Sequence, residues 1–137
     1  MQLRLVAALA GLAAVELFAA SPPDRIVVSA NRHFFADQSG TPFFWLGDTA
    51  WLLFSKLNRE ETLRYLDNRA VKGFNVIQVM AINDPQMKSV TGVPALVDGD
   101  PAKPFLNGGK DSYWDHIDWV IERAGERGIY VGLVAAW

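Results

Sequence analysis

The sequence contains no cysteine and only two histidines in its 137 residues. The lack of cysteine excludes a disulfide framework and thiolate metal sites, and two histidines far apart in the chain offer little material for a zinc site. The net charge is only −2, so the chain also lacks the basic surface that is typical of nucleic-acid-binding proteins. We therefore expect no metal, no cofactor and no nucleic-acid partner.

The first 21 residues have the three regions of a signal peptide. Arg4 supplies a basic start, residues 5–15 form an apolar run, and Ala-Ala-Ser at the end offers a processing site. The run is too short to span a bilayer with ease. Glu16 interrupts the pattern, and a buried or amphipathic N-terminal helix is the alternative. We expect removal of residues 1–21 on export, a linker over residues 22–29, and a secreted or periplasmic protein that leaves the membrane after cleavage.

One pattern occurs twice in the chain: a helix with a basic end, then a glycine, then a β-branched strand. The first copy continues from Gly73 into Phe-Asn-Val-Ile-Gln-Val, and the second from Gly128 into Ile-Tyr-Val-Gly-Leu-Val. This order is typical of parallel α/β folds. The first helix should begin after Asn58, with Glu61 completing a capping box, and the second after Ser112.

A β-hairpin and a first long strand are predicted before these repeats. Residues 26–28 and 33–35 have the composition of short strands, and residues 37–40 form a turn signal. The apolar run at residues 43–46 predicts a strand that is buried on both faces and is followed by Asp48. The predicted order is therefore hairpin, strand, helix, strand, helix, strand.

The two repeats lie further apart than one unit of a (β/α)8 barrel requires. Gly73 and Gly128 are separated by 128 − 73 = 55 residues, whereas one eighth of a barrel of about 250 residues is roughly 31. The excess predicts a loop from about Ala81 to Asp111 that leaves the carboxyl end of the second long strand, with a turn at residues 98–101. Barrels keep their chemistry at that end, so the loop is expected to be functional.

Five blocks of the sequence, in this order, resemble the apiosidase-like catalytic domain family of (β/α)8-barrel glycoside hydrolases. They are Phe-Phe-Trp-Leu-Gly-Asp-Thr-Ala-Trp (43–51), Gly-Phe-Asn-Val-Ile-Gln-Val-Met (73–80), Asp-Gly-Asp-Pro (98–101), Tyr-Trp-Asp-His-Ile-Asp (113–118) and Arg-Gly-Ile-Tyr-Val-Gly (127–132). The resemblance covers about residues 30–137 and implies the N-terminal portion of a TIM (β/α)8 barrel. It also implies an exported enzyme acting on plant cell-wall, pectic glycans, with a terminal apiose as the specific target.

The resemblance further implies a retaining mechanism with two carboxyl groups about 5 to 5.5 Å apart. In the related barrels these groups come from the ends of the fourth and seventh strands, whereas the predicted elements here stop at the third. We therefore assign no catalytic residue, expect the chain alone to be inactive, and interpret it as the N-terminal part of a truncated or partial gene product.

Candidate substrate-binding residues can still be named. Asp48 follows the first strand but could instead cap the next segment, and two tryptophans could stack on a sugar or belong to the core. Gln78 stands where the resemblance implies an arginine that reaches the nucleophile, and a polar side chain within an apolar strand is costly without a function. Asp48, Gln78 and the last residue should converge at the carboxyl ends of adjacent strands. The full set of candidates is Asp48, Trp51, Gln78, Asn83 and Trp137.

Two alternatives to an enzyme are considered. The first is a carbohydrate-binding or interaction module without catalysis, and carboxylates on later strands would distinguish an enzyme from it. The second is a doubly wound domain that binds a nucleotide. No Gly-x-Gly-x-x-Gly pattern follows a predicted strand, and residues 108–111 lack the remaining residues of a phosphate loop, so this second alternative is disfavoured. The sequence leaves the oligomeric state open.

Overall fold

The computed structural model describes residues 25–106, 109 and 112–136. The predicted signal peptide, residues 22–24 of the predicted linker, and Trp137 lie outside these residues. The described part contains two three-stranded sheets and three helices. None of those three helices has both the length and the apolar character that crossing a membrane requires.

The first sheet is antiparallel and confirms the predicted hairpin, with a third strand added. Asp37 fixes the turn between its second and third strands, since its carboxylate accepts the backbone N–H groups of Ser39 and Thr41, each at 2.9 Å. In sheet order, the strands are β1 (Val27–Val28), β2 (Phe35–Ala36) and β3 (Pro42–Phe43).

The second sheet is parallel, as the repeated pattern predicts. Asp48 pairs with Ile77, and Ile77 pairs with Val131, so the carboxyl ends of the three strands lie along the same edge. In sheet order, the strands are β4 (Gly47–Thr49), β5 (Val76–Ile82) and β6 (Tyr130–Ala136).

Both predicted helices begin where their capping residues indicate. Asn58 and Glu61 form a reciprocal capping box, and the Ser112 side chain accepts the backbone N–H of Asp115. Gly73 and Gly128 follow these helices with φ values of 81° and 70°, a left-handed conformation that glycine adopts without steric cost. A short first helix was not predicted. The helices are α1 (Leu53–Lys56), α2 (Arg59–Val71) and α3 (Tyr113–Gly125).

The core lies between the parallel sheet and the helices. Ile77, Val79 and Ala81 alternate along β5, and all three are almost completely buried. They belong to one cluster with Leu66 of α2 and Val120 of α3. Burying side chains of this size contributes about 1.5 to 3 kcal/mol each, so this layer fixes the position of β5 relative to the helices.

The prediction of a buried strand over residues 43–46 is wrong. Only the first of these residues is in a strand, which is β3 of the antiparallel sheet. The next three cross from one sheet to the other, so their side chains are not covered on both faces, and β4 starts only after them. The exposed fractions are 77% for Phe44, 41% for Trp45 and 38% for Leu46.

Asn75, the residue before β5, forms hydrogen bonds to this crossing segment. Its side-chain N–H donates to the carbonyl oxygen of Phe44 at 2.7 Å, and its side-chain oxygen accepts the N–H of Leu46 at 2.9 Å. Its backbone N–H donates to the carbonyl oxygen of Leu46 at 3.1 Å. The asparagine of the Gly-Phe-Asn-Val block therefore joins the two sheets, a role that the sequence analysis did not assign.

Aromatic side chains pack where the antiparallel sheet meets the amino end of the parallel one. The Trp45 ring centroid lies 6.0 Å from that of Phe35 and 6.5 Å from that of Phe43. Phe43 packs edge-on against Tyr130, the first residue of β6, at 5.2 Å. The antiparallel sheet therefore packs against the amino end of the parallel sheet, on the side away from the carboxyl ends of its strands.

Candidate functional site

A cleft of about 420 Å³ opens at the carboxyl ends of β5 and β6. Most of its wall is apolar, and Asn83 and Asp84 supply polar groups. The last residues of β6 in the wall are small alanines, which leave room for a ligand. The residues that line the cleft are Ile82, Asn83, Asp84, Pro85, Leu96, Pro101, Pro104, Trp114, Ala135 and Ala136.

The loop that builds this wall is held by its own backbone hydrogen bonds. The N–H of Ala95 donates to the carbonyl oxygen of Met87, and the N–H of Phe105 donates to that of Ala95, each at 2.9 Å. Met87, Ala95 and Leu96 are buried and belong to the hydrophobic core cluster. The long loop that the sequence predicts is therefore a packed part of the fold that shapes the cleft.

Two aromatic residues at the start of α3 anchor this loop. The indole N–H of Trp114 donates to the carbonyl oxygen of Ala95 at 2.8 Å, while its ring lines the cleft. The hydroxyl of Tyr113 donates to the carbonyl oxygen of Ala81 at 2.6 Å. Burial raises the pKa of the Tyr113 hydroxyl far above its ordinary value, so the hydroxyl remains a donor at any physiological pH.

The predicted turn at residues 98–101 is confirmed, and it packs against the start of the same loop. Gly99 has a φ of 74°, and a Cβ atom at this position would lie 2.5 Å from the Gln86 side-chain nitrogen and 3.3 Å from Pro85. The left-handed backbone conformation favours glycine, and a Cβ atom would also be crowded by Pro85. Pro85 and Pro101 both line the cleft, so the turn packs against part of the cleft wall.

Asn83 and Asp84 follow β5 directly and are exposed in the cleft. One oxygen of the Asp84 carboxylate accepts the N–H of Gln86 at 2.6 Å, which fixes the first turn of the loop. Within the described residues Asp84 forms no salt bridge, so its carboxylate can accept hydrogen bonds from a ligand. Asn83 is a predicted site residue. Asp84 and Trp114 were missed, although Asn-Asp-Pro directly after a buried strand is a detectable signal.

Asp48 contacts helix α2 instead of the cleft. Its carboxylate accepts the Tyr65 hydroxyl at 2.7 Å and the Nε–H of Arg69. Burial raises the pKa of Asp48, but the hydrogen bonds from Tyr65 and Arg69 outweigh burial and hold the pKa below its ordinary value. Burial and the hydrogen bond to Asp48 raise the pKa of Tyr65 to about 12. In this structure Asp48 is a link between β4 and α2.

Gln78 lies on the opposite face of the parallel sheet from Asp48. Asp48 pairs with Ile77, and Gln78 comes one residue later, so the two side chains point to opposite faces. A Cβ atom on Gly132 would lie 3.5 Å from the Gln78 Cγ and 3.7 Å from the Trp45 ring, which places Gln78 beside both. It is the third of seven residues in β5 and lies well before the cleft. The expectation that Asp48 and Gln78 converge is therefore wrong.

Trp51, one of the two tryptophan candidates, does not line the cleft. Trp51 follows β4 and lines a shallow groove with Leu57 and Tyr65, and its carbonyl oxygen accepts the N–H of Met80 at 3.1 Å. Trp137 lies outside the described residues. Among the residues that the structure does describe, no group of three or more acidic or histidine side chains is placed to hold a metal ion.

Solved structures similar to this chain are glycoside hydrolases. One, described as a glycoside hydrolase, is 39% identical with a TM-score of 0.75 over 83% of this chain and 26% of its own. A glycoside hydrolase family 5 protein from Bacteroides vulgatus ATCC 8482 is 35% identical with a TM-score of 0.74 over 84% of this chain and 26% of its own. An endo-1,4-beta-mannanase from Rhizomucor miehei is 18% identical with a TM-score of 0.54 over 82% of this chain and 27% of its own. This likeness shows similarity of fold alone. The chain thus spans about a quarter of the length of these proteins.

The comparison with protein families agrees with the resemblance seen in the sequence. No curated protein gives a significant match. Residues 29–137 match the family model described as Apiosidase-like, catalytic domain, and this match covers most of the chain and all five sequence blocks. The chain belongs to the apiosidase-like catalytic domain family.

Proposed function

We propose that this chain forms the N-terminal part of a (β/α)8-barrel glycoside hydrolase that acts on pectic glycans of the plant cell wall. The family match supports a hydrolase of glycans. The three parallel strands β4, β5 and β6, with helices in the connections between them, have the arrangement from which such barrels are built. The similar glycoside hydrolases, of which the chain covers about a quarter, support the same interpretation.

The cleft at the carboxyl ends of β5 and β6 is the observation that carries this proposal. A sugar ring has an apolar face of C–H groups and an edge of hydroxyls, and a site for it needs both kinds of surface. Trp114 and the prolines of the loop supply the apolar wall, and Asn83 and Asp84 supply hydrogen-bonding groups. Barrels bind their substrates at this end of the strands.

The proposed chemistry is retaining hydrolysis by two carboxyl groups about 5 to 5.5 Å apart, contributed beyond the described strands. In this proposal the present chain holds and orients the glycan, and the bond cleaved is that of a terminal apiose on a pectic side chain. Removal of residues 1–21 on export, and a secreted or periplasmic location, belong to the same proposal because the substrate lies outside the cell.

A chimaera tests the proposal. Residues 29–137 would replace the corresponding quarter of the 39% identical glycoside hydrolase, and apiose release from a pectic side chain would be measured. We expect turnover, and we expect Asn83→Ala to lower kcat/KM about tenfold, since one hydrogen bond to the substrate is lost. Gln38→Ala, in the exposed turn before β3, serves as the control.

Binding without hydrolysis would contradict the proposal. If the parent enzyme releases apiose and the folded chimaera binds the same oligosaccharide without cleaving it, the chain is better described as a carbohydrate-binding module. If the chimaera cleaves a neutral glycan in preference to a pectic one, the family assignment stands and the proposed substrate fails.

A further inference from the structure

A second groove, of about 520 Å³, lies beside the cleft between α1 and the first part of the long loop. Asn83 lines both the cleft and this groove, so the two form one continuous surface at the carboxyl edge of the sheet. A chain of sugars held in the cleft can therefore extend into the groove. The polar residues that line the groove include Lys56 of α1 and Lys88 and Ser89 of the loop.

The groove is positively charged. Among the residues that the structure describes, Lys56 and Lys88 both line it, and no aspartate or glutamate does. Among the described residues, neither of these lysines forms a salt bridge, whereas Lys103 pairs with Asp100 at 2.9 Å. The chain as a whole has a net charge of −2. Two unpaired cations in a groove of an acidic chain are therefore a local feature of this surface.

A neighbouring pocket is also lined by cationic and neutral residues. Ser89 also lines a smaller pocket of about 210 Å³ with Arg59 and His116, and no acidic side chain of the described part of the chain lines that pocket. The Arg59 guanidinium lies over the Trp119 ring, 5.0 Å from its centroid. From Asn83 to Arg59, the residues that line these two depressions are cationic, neutral polar or apolar.

We infer that this groove binds the carboxylate of an acidic sugar, a uronic acid unit next to the sugar that the cleft holds. The inference rests on the proposed function, because it takes a glycan as the ligand. An ammonium group makes a charge-assisted hydrogen bond to a carboxylate, and no carboxylate of the described residues lines the groove to repel an anionic ligand. The groove also lacks the arginine fork that favours phosphate groups.

Two matched ligands test the charge requirement. Binding of a short oligogalacturonate to the chain would be measured by titration calorimetry and compared with that of its methyl ester, which has the same sugars without the negative charges. We expect the acid to bind about five- to tenfold more tightly than the ester at low salt, in keeping with two exposed ion pairs, and this preference should fade as salt is added.

Matched variants locate the effect. The double variant Lys56→Gln/Lys88→Gln should lose the preference for the acid while still binding the ester. Lys72→Gln, at the end of α2 and outside the lining of the groove, should keep the preference. Circular dichroism of each variant establishes that it is folded.

Four outcomes would overturn the inference: equal affinity for acid and ester, no binding of either by the folded chain, a preference that survives the double variant, or tighter binding of a sulfated oligosaccharide than of the uronate. The proposed function fails separately. If a chimaera binds the acid more tightly but hydrolyses no glycan, the inference about the groove stands and the proposed enzymatic function fails. If it releases apiose but uses acid and ester equally, the proposed function stands and the inference about the groove fails.

Discussion

Asp48 lies within the short strand β4 and Asp84 lies just beyond the end of β5, and the surroundings of these two aspartates differ. The Asp48 carboxylate is held by Tyr65 and Arg69 of α2, between the sheet and a helix. The Asp84 carboxylate accepts one backbone N–H from Gln86 and lies exposed in the cleft. The position of an acid relative to a strand therefore does not by itself indicate substrate binding.

The difference follows from the face of the sheet and from what covers it. Asp48 is on the face that packs against helices, so a charge there needs partners from α2. Asp84 comes two residues after the end of β5, where the chain has left the sheet, and its side chain is exposed in the cleft. We therefore expect substitutions at Asp48 to change stability, and substitutions at Asp84 to change ligand binding. Four predictions test this contrast, from the largest expected effect on stability to the smallest.

Gly99→Ala should have the largest effect on stability, and it should also disturb the loop segment that carries Asp84. A left-handed conformation costs a residue with a Cβ atom about 1 to 2 kcal/mol, and the new Cβ would also displace the end of the Gln86 side chain and crowd Pro85, the two residues that follow Asp84. We expect a total loss of about 3 kcal/mol in the free energy of unfolding, measured by urea denaturation, together with weaker binding in the cleft.

Gly92→Ala is the matched control for this substitution. Gly92 also has a positive φ, of 86°, but nothing lies within 4 Å of an added Cβ atom. It should therefore lose only the conformational part, about 1 to 2 kcal/mol, and keep ligand binding. Equal losses at both glycines would show that the contact with Gln86 and Pro85 is unimportant.

Asp48→Asn should destabilise the chain by about 2 kcal/mol, because hydrogen bonds from Tyr65 and Arg69 to a charged acceptor become bonds to a neutral amide. Ligand binding in the cleft should not change. Asp67→Asn is the control: Asp67 pairs with Arg127 at 2.7 Å, but its side chain is 61% exposed, so its loss should cost less than about 0.5 kcal/mol.

The effect of Asp48→Asn should depend on pH. The pKa of Asp48 is lowered in the folded chain, so this group contributes stability above its unfolded pKa of about 3.9 and loses that contribution as the pH falls through the lower, folded pKa. The difference between the wild type and Asp48→Asn should therefore shrink below about pH 4. A difference that stays constant down to pH 2 would contradict a lowered pKa.

Tyr113→Phe should cost about 1.5 kcal/mol, less than Asp48→Asn, because the buried carbonyl oxygen of Ala81 loses its hydroxyl partner without a change of charge. Since Ala81 lies three residues before Asp84, the start of the loop should also become more mobile. Amide hydrogen exchange of residues 83–87, compared with that of α2, measures this. Unchanged exchange in the loop would mean that Trp114 alone is a sufficient anchor.

The sequence predicts the regular parts of this fold because their signals are local. Asn58 and Ser112 cap the helices through atoms three residues away, and Gly73 ends α2 through its own backbone. The segment at residues 43–46 could not be placed in this way. Its apolar composition suits a buried strand, but its position depends on hydrogen bonds to Asn75, about thirty residues later.

The candidate site was predicted in part for the same reason. The loop after β5 and Asn83 follow from chain order, because the carboxyl end of a parallel strand can be read from the sequence. Asp48 and Gln78 were grouped by their position along neighbouring strands, but one residue of register places their side chains on opposite faces of the sheet. Trp114 enters the cleft from α3, and no local pattern connects it with Asn83.

Asp84→Asn should change stability least and completes the contrast with Asp48. Asparagine keeps an oxygen that can accept the N–H of Gln86, so the turn survives and the free energy of unfolding should change by less than about 0.5 kcal/mol. It removes the negative charge from the cleft, and a hydroxyl donates a weaker hydrogen bond to a neutral amide than to a carboxylate. Binding of a neutral, methyl-esterified pectic oligosaccharide should therefore weaken about three- to tenfold, whereas Asp48→Asn leaves it unchanged. If Asp84→Asn destabilises the chain as much as Asp48→Asn and leaves binding intact, both aspartates are structural, and the ligand-binding surface must be sought elsewhere on the carboxyl edge of the sheet.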